Sequence, residues 1–171
     1  MGLIKNKEES LGPRDIALSS AFAAAVAVGT ILVSIPVGLG YLNFGEIFIY
    51  IAAFLFGGIV GGIAGGVGAA AADIILGWAF YAPITLVVKG VEGFLVGTVS
   101  GKSVKSKILA VCAGAPVMIG GYTLARAYFE GVPAALFQEL PIDILQALVG
   151  AAVGIPISQA IRSRIPELSE S

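Results

Sequence analysis

The run "GEIFIYIAAFLFGGIVGGIAGGVGAAAADIILG", residues 45–77, decides how the whole chain folds. Read as one helix it would be roughly 50 Å long at 1.5 Å per residue, against a hydrocarbon core of about 30 Å. That is too long for one crossing of a bilayer and tight for two. Its only charged residues are Glu46 and Asp73, one near each end.

The rest of the chain makes a bilayer the natural solvent. The 171 residues are 57% hydrophobic and 12% charged, with a mean hydropathy of +0.97. Ordinary soluble domains carry about 25% charged residues, and a chain of this length could not hide so much apolar surface in water. The formal net charge of −1 points to neither nucleic acid nor an acidic partner. With no histidine, His-based catalysis, His metal sites and His proton relays are all excluded. Cys112 is the one cysteine, so no internal disulfide can form. No metal-ligand cluster, catalytic constellation or cofactor motif is present in the sequence. Residues 16–35 could pass for a long signal sequence, but more apolar runs follow rather than a soluble domain, so they read as a retained first span.

Further apolar runs of helical length lie at about 15–35, 83–101, 107–129 and 141–161. None alternates polar and apolar residues, which argues against a β-barrel. Basic residues in short loops collect on the cytoplasmic side. If 45–77 crosses once, "GKSVKSK" falls outside while Lys5, Lys7 and Arg14 lie inside. If it crosses twice, turning near Gly57 and Gly58, eight of the ten basic residues become cytoplasmic: Lys5, Lys7, Arg14, Lys102, Lys105, Lys107, Arg162 and Arg164. The pattern therefore predicts an all-α integral membrane protein of six transmembrane helices with both termini cytoplasmic. It would be a single domain, with a polar N-terminus over 1–14, a bundle over 15–162 and a tail over 163–171.

Glycines in 45–77 recur four apart in two registers, 57/61/65 and 58/62/66, a spacing that lets helix backbones approach closely. Ala17, Ala21 and Ala25 share one face of the first span; internal packing and docking of a partner helix explain them equally well. "VSGKS", 99–103, ends like a phosphate-binding loop, but Val96 stands where the first glycine belongs, and the segment ends a membrane helix rather than joining strand to helix. Nucleotide binding there is rejected. "GGVGAAA" has no βαβ context and carries nothing.

Charges at membrane depth are informative, because they usually face a bundle interior or a water-filled cavity. Asp73, Lys89, Glu92 and Arg126 are the cases here. Lys89 lies roughly 9 Å into its helix beyond Pro83, and Asp73 sits at a similar depth on the preceding antiparallel helix. The two are expected to pair, with Glu92 sharing the face of Lys89 at i+3. A structural ion pair and a substrate contact remain equally open for them. Arg126 is expected to snorkel outward or to pair with Glu130 at i+4. Tyr122, one turn deeper on the same face, suits the aromatic wall of a cavity. Outer loops and helix ends supply Tyr41, Asn43 and Glu46, then Trp78, Tyr81 and Thr85, then Gln138, Glu139, Asp143 and Gln146. Interfacial Trp and Tyr are common without any ligand, but their convergence above buried charges predicts a small-molecule pocket open to the outer face.

The stretch 41–78, followed by "YAPITLVVKGVEGFLVG" at 81–97, resembles the substrate-binding S components of energy-coupling-factor (ECF) vitamin transporters. The likeness is nearest to the riboflavin, pyridoxine and hydroxymethylpyrimidine types. The matching elements are N-x-G-[DE] (Asn43, Gly45, Glu46), the Gly-rich turn leading to Asp73, P-x-T-x-x-x-K-G-x-x-G (Pro83, Thr85, Lys89, Gly90, Gly93) and P-x-N-x-x-Q. Pro141 and Gln146 fit the last element, while Asp143 departs from it by replacing Asn. The likeness covers about residues 14–162. It implies a six-helix binding protein in the plasma membrane of a prokaryote, without enzymatic activity. Such a protein captures a water-soluble vitamin or precursor outside and works with a transmembrane T component and two cytoplasmic ATPases. It also implies that Ala17, Ala21 and Ala25 dock on the T component. Tyrosine and tryptophan stack on flat rings, which favours an aromatic heterocycle as substrate. A self-sufficient carrier or channel is the alternative; a membrane-embedded enzyme using Asp73, Lys89 and Glu92 as acids and bases lacks every usual catalytic partner.

Overall fold

A computed structural model describes residues 11–37 and 40–165. Lys5 and Lys7, part of the basic cluster read from the sequence, lie outside the described residues, as do the first ten residues of the polar N-terminus and most of the tail. Helix α1 spans Pro13–Leu32, α2 Gly45–Phe56, α3 Gly58–Ile75, α4 Ala82–Val99 and α5 Val104–Glu130. The last helix, α6, runs over Val132–Arg164. It opens with a short α-turn, passes through a π-helical turn at Ala135–Glu139 and continues as α-helix from Leu140. All of these except α2 are long and apolar enough to cross a membrane.

The once-or-twice question at 45–77 is answered by Gly57. It sits between α2 and α3 with φ +87°, a conformation that side chains with a Cβ rarely adopt. The run therefore forms a helical hairpin that turns where the sequence predicts. It fits two helices because α2 is short. Twelve residues rise about 18 Å, less than the hydrocarbon core, so the deficit is made up by what precedes it. There, Ser34–Val37 and Gly40–Asn43 pair as an antiparallel β-hairpin, in register Ser34 with Asn43 and Ile35 with Leu42. The sequence reading has only an irregular break at this point. Strands of four residues are too short to show a hydropathy period of two.

α2 is the central helix and is buried on nearly every face. Its Ile49, Tyr50, Ala53 and Phe54 join one core with Val26 of α1, Ala69 of α3, Val96 of α4, Ala110 of α5 and Ile155 of α6. The glycine registers explain how the flanking helices close around it. A Cβ added at Gly65 would stand 2.8 Å from the Lys89 carbonyl oxygen, and one at Gly66 would stand 2.7 Å from that of Leu86. α3 thus lies backbone against backbone on α4, the close approach that small residues permit. By contrast, Ile75, Val87, Leu109, Leu124 and Leu148 all stay more than half exposed on the outside of the bundle. In water that would be an unusual apolar surface; in a bilayer it is the lipid-facing shell.

Both described ends of the chain are at one end of the bundle. Arg14, Gly57, Lys102 and Arg162 line a common groove there, and Gln159 donates to the Lys102 carbonyl at 3.0 Å. The β-hairpin and the α3–α4 connection occupy the opposite end.

Candidate functional site

At the hairpin end the helices surround a cavity lined by residues of all six helices, the hairpin and the α3–α4 connection. Its floor is a buried ion-pair network. Lys89 reaches down from α4, and its Nζ meets Glu46 Oε2 of α2 in a very close contact and Glu92 Oε2 at 3.1 Å. Met118 Sδ of α5 also touches the ammonium, and the Tyr122 ring lies 5.7 Å from it. Tyr50 donates to Glu92 Oε1 at 3.0 Å. Gln146 of α6 donates to Glu46 Oε2 at 3.4 Å. These charges are 0–3% exposed. Unpaired, they would cost several kcal/mol each in such surroundings, so the network has to be assembled for the bundle to close.

Above the floor, Asn43 links the hairpin to the helices. Its side chain amide and backbone N–H both donate to Gln146 Oε1, at 3.1 and 3.3 Å. Asn43 Oδ1 accepts from the Gly45 N–H at 2.9 Å and from Thr30 Oγ1 at 3.3 Å. Asn43 thereby satisfies the Gly45 N–H, the first backbone donor of α2, which would otherwise go unmet. Tyr41 donates to Asp73 Oδ1. Burial, reinforced by the Asp73 carboxylate, pushes the Tyr41 hydroxyl above the ordinary tyrosine range, so Tyr41 stays a donor. Tyr122 donates to Thr85 Oγ1 at 3.2 Å. Near the mouth, Arg126 is held by Glu130 at 2.8 Å and by Glu139 of the π-helical turn at 3.3 Å. Wide turns of this kind recur at functional sites.

The residues singled out from the sequence line this cavity with two exceptions. Asn43, Glu46, Asp73, Trp78, Tyr81, Thr85, Lys89, Tyr122, Arg126, Asp143 and Gln146 are all in its wall. Glu92 lies beneath the wall, behind Lys89. Gln138 is exposed, away from the lining. Of three expectations, two change in detail and one holds. Lys89 pairs with Glu46 and Glu92 rather than with Asp73, whose partner is Tyr41. Glu46 sits in the first turn of α2, as its place at the start of the 45–77 run implies, and is 1% exposed. Arg126 does not snorkel outward; it is 1% exposed and adds Glu139 to the expected Glu130. Thr30, Ile49 and Ala69 also line the cavity. Thr30 is a lone hydroxyl near the end of an apolar helix, a weak signal. Ile49 and Ala69 carry none.

The cavity also concentrates unmet polar atoms. Most buried polar groups find a partner, yet among the described residues Glu46 Oε1 and Asp143 Oδ2 have none, and Asp73 Oδ2, Tyr81 Oη and Arg126 Nη2 have no well-aligned hydrogen bond. On the outside of α1, Ala17 and Ala21 are exposed and Ala25 is half-buried, whereas Ser19, Val26, Gly29 and Thr30 form the helix's buried face.

Comparison with known proteins adds two findings. The family model described as "ECF-type riboflavin transporter, S component" matches residues 10–163. A protein of Pyrococcus woesei, described as "Uncharacterized protein in gap 3'region", is 43% identical over 150 residues, covering 85% of this chain and all of the relative.

Proposed function

We propose a capture-and-deliver role on one premise: the chain belongs to the ECF-type riboflavin transporter S component family. Membership makes it a membrane transporter subunit of the kind that binds a vitamin-type substrate, and that family is not one of enzymes. Beyond this, the protein takes a water-soluble vitamin or precursor, an aromatic heterocycle, into the hairpin-end cavity from outside the cell. It releases the substrate inward together with a T component and two ATPases, in the plasma membrane of a prokaryote. The single observation behind this reading is the clustering of unpartnered buried polar atoms around one cavity with aromatic walls. A substrate's own donors and acceptors would complete them.

Asn43, Glu46, Asp73, Trp78, Tyr81, Thr85, Tyr122, Arg126, Asp143 and Gln146 form the binding site in this reading. Lys89 and Glu92 build its floor. Arg14, Lys102 and Arg162 sit together at the end opposite the cavity, which supports a cytoplasmic position for both termini. The exposure of Ala17 and Ala21 supports a docking face for the T component on α1. Two measurements test the role. A heterocyclic vitamin or precursor should be released from the purified protein on denaturation and identified by mass spectrometry. Its uptake into cells should require co-expressed T and ATPase subunits. Flux into liposomes holding this protein alone would instead make it a self-sufficient carrier.

A further inference from the structure

We propose that the groove at the end of the bundle opposite the hairpin binds an anionic phosphate group, presented by a lipid headgroup or by a small phosphate compound. The two ends of the bundle treat their buried cations differently. At the hairpin end, Lys89 is shared by Glu46 and Glu92, and Arg126 by Glu130 and Glu139. At the opposite end no such acids are supplied. Lys107 of α5 is 0% exposed; its Nζ donates to Ser158 Oγ at 2.9 Å and lies 5.4 Å from the centroid of the Phe54 ring. Arg162 of α6 donates from Nη2 to the Phe54 carbonyl at 3.0 Å. Neither cation forms an ion pair among the described residues. A buried charge without a counter-charge is costly, so an anion from outside the chain is the complement that this end lacks.

Phe54 joins both cations to the groove, whose wall it forms together with Arg14, Lys102 and Arg162. Asp15 is the one carboxylate in that wall among the described residues, and its Oδ2 already accepts from the Gly12 N–H at 3.1 Å. The Nη2 bond of Arg162 is accounted for by the fold, since the last carbonyls of α2 have no partner within the helix. Its Nε is not: that donor is buried and has no hydrogen bond among the described residues. A guanidinium fork matches phosphate oxygens in geometry and charge. The start of α3 opens on the same groove at Gly57, and it has no side-chain cap. Helix N-termini offer phosphate their backbone N–H groups and a partial positive charge. At about 420 Å³ the groove is within the span of small-ligand sites, and Leu18 and Phe56 give it an apolar flank for the rest of the ligand. Basic pockets of this kind between membrane helices hold anionic headgroups. Parts of α1, the α2–α3 turn, the α4–α5 connection and α6 all meet there, so a bound phosphate would tie four elements together.

The purified protein in a neutral detergent would be titrated with phosphatidylglycerol, with zwitterionic phosphatidylcholine and, at constant ionic strength, with inorganic phosphate against chloride. Native mass spectrometry counts bound lipid, and the thermal unfolding midpoint follows both kinds of ligand. Phosphatidylglycerol or inorganic phosphate should bind and raise the midpoint. Arg14→Gln combined with Arg162→Gln should weaken that binding about tenfold or more, because each basic residue near an anionic headgroup adds to its attraction. Glutamine keeps a donor for the Phe54 carbonyl. Lys105→Gln combined with Arg164→Gln removes the same charge from exposed positions outside the groove and should leave the binding unchanged. An effect of phosphatidylglycerol alone identifies a lipid headgroup; an equal effect of inorganic phosphate identifies a soluble phosphate. Equal losses in both pairs of variants would overturn the proposal, leaving only a diffuse basic surface. So would phosphatidylglycerol acting no better than phosphatidylcholine while inorganic phosphate acts no better than chloride. If the Arg162 variant fails to fold, Arg14→Gln alone, at an exposed position, carries the same comparison against Lys105→Gln.

Discussion

Lys89 on α4 and Glu46 on α2 form an ion pair with almost no solvent access, and Glu92 and Gln146 close on the same two groups at 3.1 and 3.4 Å. Two carboxylates thus share one ammonium at the base of the cavity. Removing the lysine leaves both carboxylates without compensation, a change that typically costs 3–5 kcal/mol, that is, about 4. Lys89→Met should therefore lower the thermal unfolding midpoint sharply in detergent. Adding Glu46→Gln and Glu92→Gln should recover most of the loss. Asp73→Asn should not, because Asp73 is tied to Tyr41; rescue by Asp73→Asn alone would contradict this pairing.

Gly65 sets the depth at which Lys89 enters the network. A Cβ there would press on the Lys89 carbonyl oxygen at 2.8 Å and on Ile49 Cγ2 at 3.2 Å. Gly65→Val should push α3 from α4 and destabilise the fold by about 1–3 kcal/mol, the usual range for overpacking. Gly120→Ala, inside α5 where a Cβ meets nothing within 4 Å, is the contrasting case and should hold or raise the midpoint, since Ala is favoured over Gly in a helix interior by about 0.5–1 kcal/mol.

Much of this was legible in the residues themselves. Positive charge distribution separates two crossings from one at 45–77, because lipid makes the number of spans an electrostatic question as much as one of length. Lys89, Asp73 and Arg126 stand out because a charge in an apolar run must be compensated. Partners within one helix are equally legible, Glu92 at i+3 from Lys89 and Glu130 at i+4 from Arg126; partners on other elements do not stand out. Glu46 is legible as the charge that opens the 45–77 run, but not as the partner of Lys89, since the β-hairpin that lowers it into the bundle has no signature in strands of four residues. Tyr50 and Met118, which complete the floor, look like ordinary members of an apolar helix. Which acid a buried lysine meets depends on helix depth and rotation, and the shortness of α2 sets both here.

The topology gives a prediction about access. Lys105 stands at the start of α5, beside the connection that carries Lys102 to the groove shared with Arg14 and Arg162. In a Cys112→Ser background, Lys105→Cys should resist an impermeant thiol reagent in intact cells and react once the membrane is opened. Phe44→Cys, exposed at the hairpin end, should react from outside. The reverse pattern would invert the orientation.

α1 offers a test of partner docking. Ala17 and Ala21 face away from the bundle, so a larger side chain there meets nothing within this chain. Ala21→Leu should leave the unfolding midpoint and ligand affinity of the purified protein unchanged and reduce uptake by cells at least about tenfold. Such a loss is expected if close helix approach to the T component depends on small residues. Unchanged uptake would take this face out of the docking surface.

The hairpin above the cavity is held by two different ties, and they should act on different quantities. Asn43 bonds to Gln146, Thr30 and the start of α2, so it organises the fold around the cavity. The Tyr41 side chain bonds to Asp73, both in the cavity wall. Hydrogen bonds to charged groups are worth about 1.5–3 kcal/mol, and this one spans from the hairpin to α3. Tyr41→Phe keeps the aromatic wall and removes that tie alone. Ligand dissociation should then accelerate by about tenfold, the rate equivalent of about 1.4 kcal/mol, with a smaller change in association. Asn43→Ala should instead lower the unfolding midpoint, because it removes the side-chain bonds to Thr30, to the Gly45 N–H and to Gln146, leaving Gln146 Oε1 only the backbone donor of residue 43. Stopped-flow displacement of bound ligand reads the first effect, and thermal unfolding of the unliganded protein reads the second. If Tyr41→Phe left dissociation unchanged while lowering the midpoint, the Tyr41–Asp73 bond would be part of the scaffold and the hairpin would not retain the ligand through it.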